Sequence, residues 1–105
     1  MKAVLIQTPT FVRCIEKIAT ADELKELEDS ILENPEVGSV IRGGGGIRKI
    51  RFSIGSQGKS GGGRVIYYYK NSANQVYFLV AYAKSDTENL SKDEIAVLKV
   101  IVKEL

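Results

Sequence analysis

Arg64-Val65-Ile66-Tyr67-Tyr68-Tyr69-Lys70, then Asn71-Ser72-Ala73-Asn74, then Gln75-Val76-Tyr77-Phe78-Leu79-Val80-Ala81-Tyr82-Ala83 is the stretch on which the architecture turns. The outer runs are rich in β-branched and aromatic residues, which pack well on a pleated surface, and the four residues between them are turn formers. Across so short a connection an antiparallel hairpin is the economical pairing. With the turn at one end, the start of the first strand lies beside the end of the second. Arg64 is therefore predicted to come near Tyr82 and Lys84, which share a strand face by alternation.

Upstream of this hairpin, Ile50, Phe52 and Ile54 alternate with Lys49, Arg51 and Ser53, the period of a half-buried strand with its cations facing away from the core. Residues 3–7 form a first strand closed by Thr8-Pro9, and a short helix follows. Thr20-Ala21-Asp22-Glu23 is a capping box: the Thr20 hydroxyl takes an orphan amide and Glu23 reaches back to the cap. Leu24, Leu27 and Ile31 then repeat at helical spacing until Asn34-Pro35 ends the helix. Ser91-Lys92-Asp93-Glu94 is a second capping box, followed by an apolar stripe of Ile95, Leu98, Ile101 (with Val102) and Leu105. The order predicts one α+β domain over residues 1–105, a twisted, mainly antiparallel sheet of four to five strands with N-terminal helices and a C-terminal helix.

A chain of 105 residues can bury one core without a metal or disulfide staple. No apolar run approaches the ~18 residues of a membrane span, and the start is too short for a signal peptide, so a cytoplasmic protein with no membrane partner is expected. The single cysteine, Cys14, sits beside Ile15 and Ile18 in a helical pattern and reads as a core thiol. Histidine is absent. That removes the commonest general base, the commonest metal ligand and every imidazole triad, so neither metal nor cofactor is expected.

Charge is distributed unevenly. Residues 42–84 carry eight cations and no acid, whereas residues 1–41 sum to −4 and residues 85–105 to −2. A one-signed stretch on a small domain points to a phosphate backbone, which releases counterions when Lys and Arg neutralise it; the bland alternative is a solvated cationic face. The run Gly55-Ser56-Gln57-Gly58-Lys59-Ser60 lacks the first glycine of a P-loop, since Ser53 holds that place, and it leads into a strand rather than a helix. Glycines 43–46 fit no dinucleotide-binding frame either. What the glycines around Lys59 do offer is a loop of little bulk, which a phosphate strand can approach closely; a merely flexible hairpin tip fits the same composition.

Two or three cations beside a tyrosine can cleave RNA without histidine or metal. When a ribose 2′-hydroxyl attacks its own phosphate, charge builds on the phosphorane oxygens, and a fixed guanidinium and ammonium stabilise it. Tyr82 fits a core aromatic equally well by pattern alone.

Three segments, Ile47-Arg48-Lys49-Ile50-Arg51-Phe52, Gly58 to Tyr69, and Ala81-Tyr82-Ala83-Lys84-Ser85-Asp86, together resemble the HigB-type branch of the RelE toxin superfamily, specifically from about residue 37 onward. The resemblance implies a type II toxin, a small endoribonuclease that cuts messenger RNA in the ribosomal A site, restrained by a cognate HigA-like helix-turn-helix antitoxin and touching DNA only through it. It implies that Arg64 stabilises the phosphate, that Lys84 is a cation of the site, and that Arg48, Lys49, Arg51 and Lys59 face RNA; Tyr82, which hairpin geometry puts beside Arg64 and Lys84, is the further catalytic candidate, with Tyr82 or Lys84 as the candidate base. The chain departs from the family in having Ser85 where many members carry a further Arg, and in having no Tyr over residues 87–105, which leaves the general base unassigned. A non-catalytic RNA- or ribosome-binding module, or an antitoxin-binding regulatory domain, also fits the positive middle.

Overall fold

The computed structural model describes residues 2–55, 62–85 and 89–105. The chain runs through β1 (Val4–Gln7), α1 (Pro9–Ile18), α2 (Ala21–Glu33), β2 (Ser39–Val40), β3 (Ile47–Phe52), β4 (Gly63–Lys70), a 3₁₀ turn (Asn71–Ala73), β5 (Gln75–Ala83) and a closing helix, here α3 (Lys92–Lys103). The strands form one sheet in the order β1-β5-β4-β3-β2. Every neighbouring pair is antiparallel except β1 with β5, which is parallel.

Local chemistry sets the element ends. Thr8 caps α1, its Oγ1 accepting from the Phe11 amide at 3.2 Å, with Pro9 at the first helical position where a missing N–H costs nothing. Both capping boxes close reciprocally: Glu23 Oε1 accepts from the Thr20 amide at 2.8 Å, and Glu94 Oε1 from the Ser91 amide at 2.9 Å. The hairpin turns at Asn74, which takes the left-handed conformation (φ 51°) that asparagine tolerates better than most residues.

The two faces of the sheet are covered differently. Phe11, Ile15, Leu27 and Ile31 of α1 and α2 pack on Phe52, Val65, Tyr67, Val76, Phe78 and Ala81. Cys14 is half-buried against this cluster, as its apolar surroundings predicted. On the other face α3 lays Ile95, Leu98 and Val102, with Leu105 just beyond its end, over Ile47, Ile66, Leu79 and Tyr82. Ile101, expected in the inward stripe, is instead 41% exposed on the flank of α3. At 3.6 residues per turn Ile101 and Val102 cannot both face the sheet, and Val102 holds the buried place.

A β-bulge decides the face of the last strand. Ile66 pairs with Val80 but Tyr67 pairs with Phe78, so Leu79 is an extra residue on β5. Strict alternation from Val76 and Phe78 would carry Tyr82 to the side of α1 and α2. The bulge shifts the parity, so that Ala81 takes that side and Tyr82 the side of α3.

Candidate functional site

Arg51 lies opposite Arg64, and Arg64 lies opposite Tyr82. The three side chains thus form one cross-strand row over β3, β4 and β5 on the α3 face, at the sheet end where the glycine-rich connection begins and ends. Directly opposed residues on one face stand about 4.5–5.5 Å apart at Cβ, so two guanidinium-bearing side chains share a small area. Lys49 sits two residues along β3 on the same face. Lys84 follows immediately after β5, its amide donating to Gly62 O at 3.0 Å, with the side chain exposed. Arg51, Arg64, Tyr82, Lys49 and Lys84 are therefore brought together.

Among the described residues Arg64 is the one charged residue that is buried, at 5% exposure. Its Nη1 donates to Gly63 O at 3.0 Å, folding the side chain back along its own strand. Gly63 itself has no room for a side chain, since a Cβ there would meet the Phe52 ring at 2.5 Å. A side chain at position 63 would force the buried Phe52 ring and the Ile54 side chain to shift, next to Arg64.

The Tyr82 hydroxyl is shielded from solvent and has no hydrogen-bond partner among the described residues. A buried hydroxyl left unpaired costs about 1–3 kcal/mol, so its retention calls for a reason. Burial raises its pKa above the ordinary tyrosine value, Arg64 opposes that shift, and the Glu94 carboxylate adds to it. The net direction keeps the proton on the phenol at neutral pH. Glu94 was legible in the sequence only as a capping-box partner; its approach to Tyr82 depends on where α3 docks.

Arg48 stands apart from this group. It lies on the opposite face of β3, where Nη1 donates to Glu36 O at 2.9 Å and to Gly38 O at 2.8 Å, and Nη2 faces Glu36 Oε2 at 3.8 Å. Tyr67 ties the same loop from below, its hydroxyl donating to Pro35 O at 2.8 Å and accepting from the Gly38 amide at 2.9 Å. These contacts hold residues 35–38 beneath the sheet, on the face away from Arg64. Lys59 lies outside the described residues.

Two further contacts border the row. Lys49 Nζ donates to Asn89 Oδ1 at 3.2 Å, linking β3 to the approach of α3. Glu23 Oε2 accepts from the Gly55 amide at 2.6 Å, and these backbone hydrogen bonds, first to Thr20 and then to Gly55, lower its pKa. An apolar groove of about 470 Å³ runs between α3 and β5, lined by residues including Leu79, Val80, Leu90 and Val97, and reaches neither Arg64 nor Tyr82. Among the described residues no group of three or more His, Cys, Asp and Glu is placed to hold a metal ion. None of the described helices is long and apolar enough to cross a membrane.

The family model described as the RelE toxin of the RelE / RelB toxin-antitoxin system matches residues 4–105. The chain belongs to the RelE toxin family. Among solved structures, a mutant of the E. coli toxin RelE in the free state is similar at a TM-score of 0.66 and 18% identity, covering 95% of this chain and 96% of that one. At that identity the likeness speaks for the fold: one small α+β domain, as the strand and capping patterns predicted. The chain is accordingly a toxin of a toxin-antitoxin system, a class whose members pair with an antitoxin.

Proposed function

We propose that this chain is a ribosome-dependent messenger RNA endonuclease of the HigB-type branch, acting in the cytoplasm on translated message in the A site and held inactive by a HigA-like antitoxin. The observation that carries the reading is the row Arg51, Arg64, Tyr82 on one sheet face, beside Lys49 and Lys84. An electropositive patch of this kind suits a phosphodiester strand, and family membership supplies the class of substrate.

In this reading the 2′-oxygen of the nucleotide before the cut attacks the adjacent phosphorus, the bond from phosphorus to the 5′-oxygen breaks, and the 2′-proton leaves to solvent. Arg64 and Lys84 stabilise the charge that develops on the non-bridging oxygens, more in the transition state than in the ground state. Tyr82, whose raised pKa keeps it protonated, suits proton donation to the departing 5′-oxygen. Lys49, Arg51 and Lys59 hold flanking phosphates. No step calls for a metal.

The products test the chemistry: a 2′,3′-cyclic phosphate upstream and a free 5′-hydroxyl downstream. Cleaved message from a translating extract, treated with a 5′-kinase, should take up label without prior phosphatase. Fragments that already bear a 5′-phosphate would indicate a metal-activated water and overturn the mechanism. The shielding of the Tyr82 hydroxyl favours a second reading, a non-catalytic ribosome- or antitoxin-binding domain. An absence of any cut message, with ribosome binding intact, would select it.

A further inference from the structure

The closing helix has two unlike flanks. At about 100° per residue, Lys92, Lys99 and Lys103 fall within about 40° of one another round α3, and Asp93, Glu94 and Glu104 lie about 80° or more from each of them. Two contacts set which way the lysines look. A Cβ at Gly45 would meet Lys99 Cγ at 3.1 Å and its Cδ and Cε at 3.9 Å, so the Lys99 stem lies along the turn between β2 and β3. At the other end Lys49 Nζ reaches Asn89, just before the helix begins. The lysine flank of α3 thus stands on the side of β3, next to Lys49 and Arg51 of that strand and the turn that carries Arg42. The acidic flank looks the other way, Asp93 and Glu94 lining the groove beside β5.

We propose that Arg42, Lys92, Lys99 and Lys103 form a second RNA track, separate from the row at Arg64, that holds the phosphate backbone of base-paired RNA, namely that of the ribosome on which message is cut. The source of that RNA rests on the reading of the chain as a ribosome-dependent endonuclease.

Three features support it. All four side chains are exposed, and among the described residues the ion pairs are Lys25 with Asp29 and Arg48 with Glu36, so none of the four is neutralised by a neighbouring acid. Unpaired cations in a line release counterions when phosphates replace them. The helix also fixes their spacing, about 10 Å from Lys92 to Lys99 and about 6 Å from Lys99 to Lys103, which suits a rigid backbone. Most telling is the chemistry the flank lacks. Proteins that hold single strands add exposed aromatic rings on which bases stack; among the described residues this flank offers none, the Tyr68 ring against Gly46 being half-buried. Contact with phosphates alone suits paired RNA, which is recognised by backbone and shape. On the other side of Lys49 and Arg51 the cleft is lined by Glu23, Glu26 and Glu33 of α2, whose charge repels a phosphate strand, so the cationic surface continues only toward α3.

The test uses the full chain and two probes, a blunt RNA duplex and a 2′-O-methyl RNA tetranucleotide, each followed by fluorescence anisotropy over a salt series. Lys99→Gln with Lys103→Gln, which keeps the stem that packs on Gly45, should lower the log–log salt slope for the duplex by about 1.8, roughly 0.9 for each phosphate contact, and leave tetranucleotide binding unchanged. Arg42→Gln should lower it by about 0.9. Lys99→Arg with Lys103→Arg should retain the wild-type slope, and so should Lys2→Gln with Lys17→Gln, which removes two exposed lysines from elsewhere on the surface. On translating ribosomes the double glutamine variant at 99 and 103 should need severalfold more ribosomes for half-maximal cutting and reach the wild-type rate at saturation. A duplex slope unchanged in that variant, an equal loss of tetranucleotide binding, or an equal loss on removing Lys2 and Lys17 would overturn the track. If the duplex results hold but the wild type cuts no message on ribosomes, the track stands and the endonuclease reading fails. If message is cut while the duplex slope ignores Lys99 and Lys103, the track falls alone.

Discussion

One sheet carries two unlike faces. Under α1 and α2 the core is closed: Phe11, Ile31, Tyr67 and Phe78 are fully buried, two aromatic pairs (Phe11 with Phe78, and Tyr67 with Phe78) interlock, and Tyr67 spends its hydroxyl on the 35–38 loop. Under α3, among the described residues, the apolar side chains that are fully or nearly fully buried are Ile47, Ile66, Leu79 and Val102, Val97 and Val100 face outward at 59% and 62% exposure, and the Tyr82 hydroxyl finds no hydrogen-bond partner. Burying a large apolar side chain contributes about 1.5–3 kcal/mol, so the first face supplies most of the stability. The second face is where imperfect satisfaction of polar groups coincides with the cations. The difference teaches that a small domain can place its stability and its reactive groups on opposite sides of a single layer of strands.

The two arginines test that division most directly, because Arg64 lies on the face of α3 and Arg48 on the face of α1 and α2. Arg64→Ala should lower message cleavage on the order of 10²–10³, the usual loss for one stabilising donor at a developing oxyanion. A variant as toxic as wild type at equal protein level would remove Arg64 from the chemistry. Arg48→Ala should act on the other property. It removes one exposed and one part-buried hydrogen bond to backbone carbonyls and a long ion pair to a largely exposed carboxylate, at a cost of about 0.5–1.5 kcal/mol in folding free energy. Denaturant unfolding should show the loss, and a ribosome-binding salt slope unchanged from wild type would place Arg48 with the closed face.

Smaller in energy, but diagnostic of contact, is the pair Lys49 and Arg51. If both neutralise phosphates, the double alanine variant should lower the log–log salt slope of ribosome binding by about 1.8, roughly 0.9 for each contact. An unchanged slope would mean that this end of β3 does not touch RNA.

The smallest expected effect concerns Glu23, which ties the capping box to Gly55. Its pKa is depressed in the folded chain, so its contribution to stability is present above the unfolded value and is lost as pH falls through the folded value. Thermal midpoints followed downward from pH 6 should fall more steeply in wild type than in Glu23→Gln. Parallel curves would assign the acid sensitivity to other carboxylates.

The sequence by itself determined what depends on near neighbours. Alternation over residues 64–70 and 75–83 specified the hairpin, Asn71 to Asn74 its turn, and Thr20/Glu23 and Ser91/Glu94 the starts of two helices, because strand period, turn chemistry and capping act within a few residues. The charge runs likewise showed that the middle of the chain is cationic, and the cross-strand meeting of Arg64 with Tyr82 followed from hairpin geometry. Only the tertiary structure decided the rest. Alternation cannot announce the extra residue at Leu79, yet that bulge sends Tyr82 to the face of Arg64 and Arg51 instead of the α1 and α2 core. Period alone separates Arg48 from Lys49 but does not say that Arg48 would find Glu36 and Gly38, or that Lys49 would find Asn89 forty residues away. The parallel pairing of β1 with β5, the choice of Val102 over Ile101 and the approach of Glu94 to Tyr82 are of the same kind. Each is settled by which distant surfaces bury the most apolar area together, a comparison made by the whole chain at once and written in no local stretch of it.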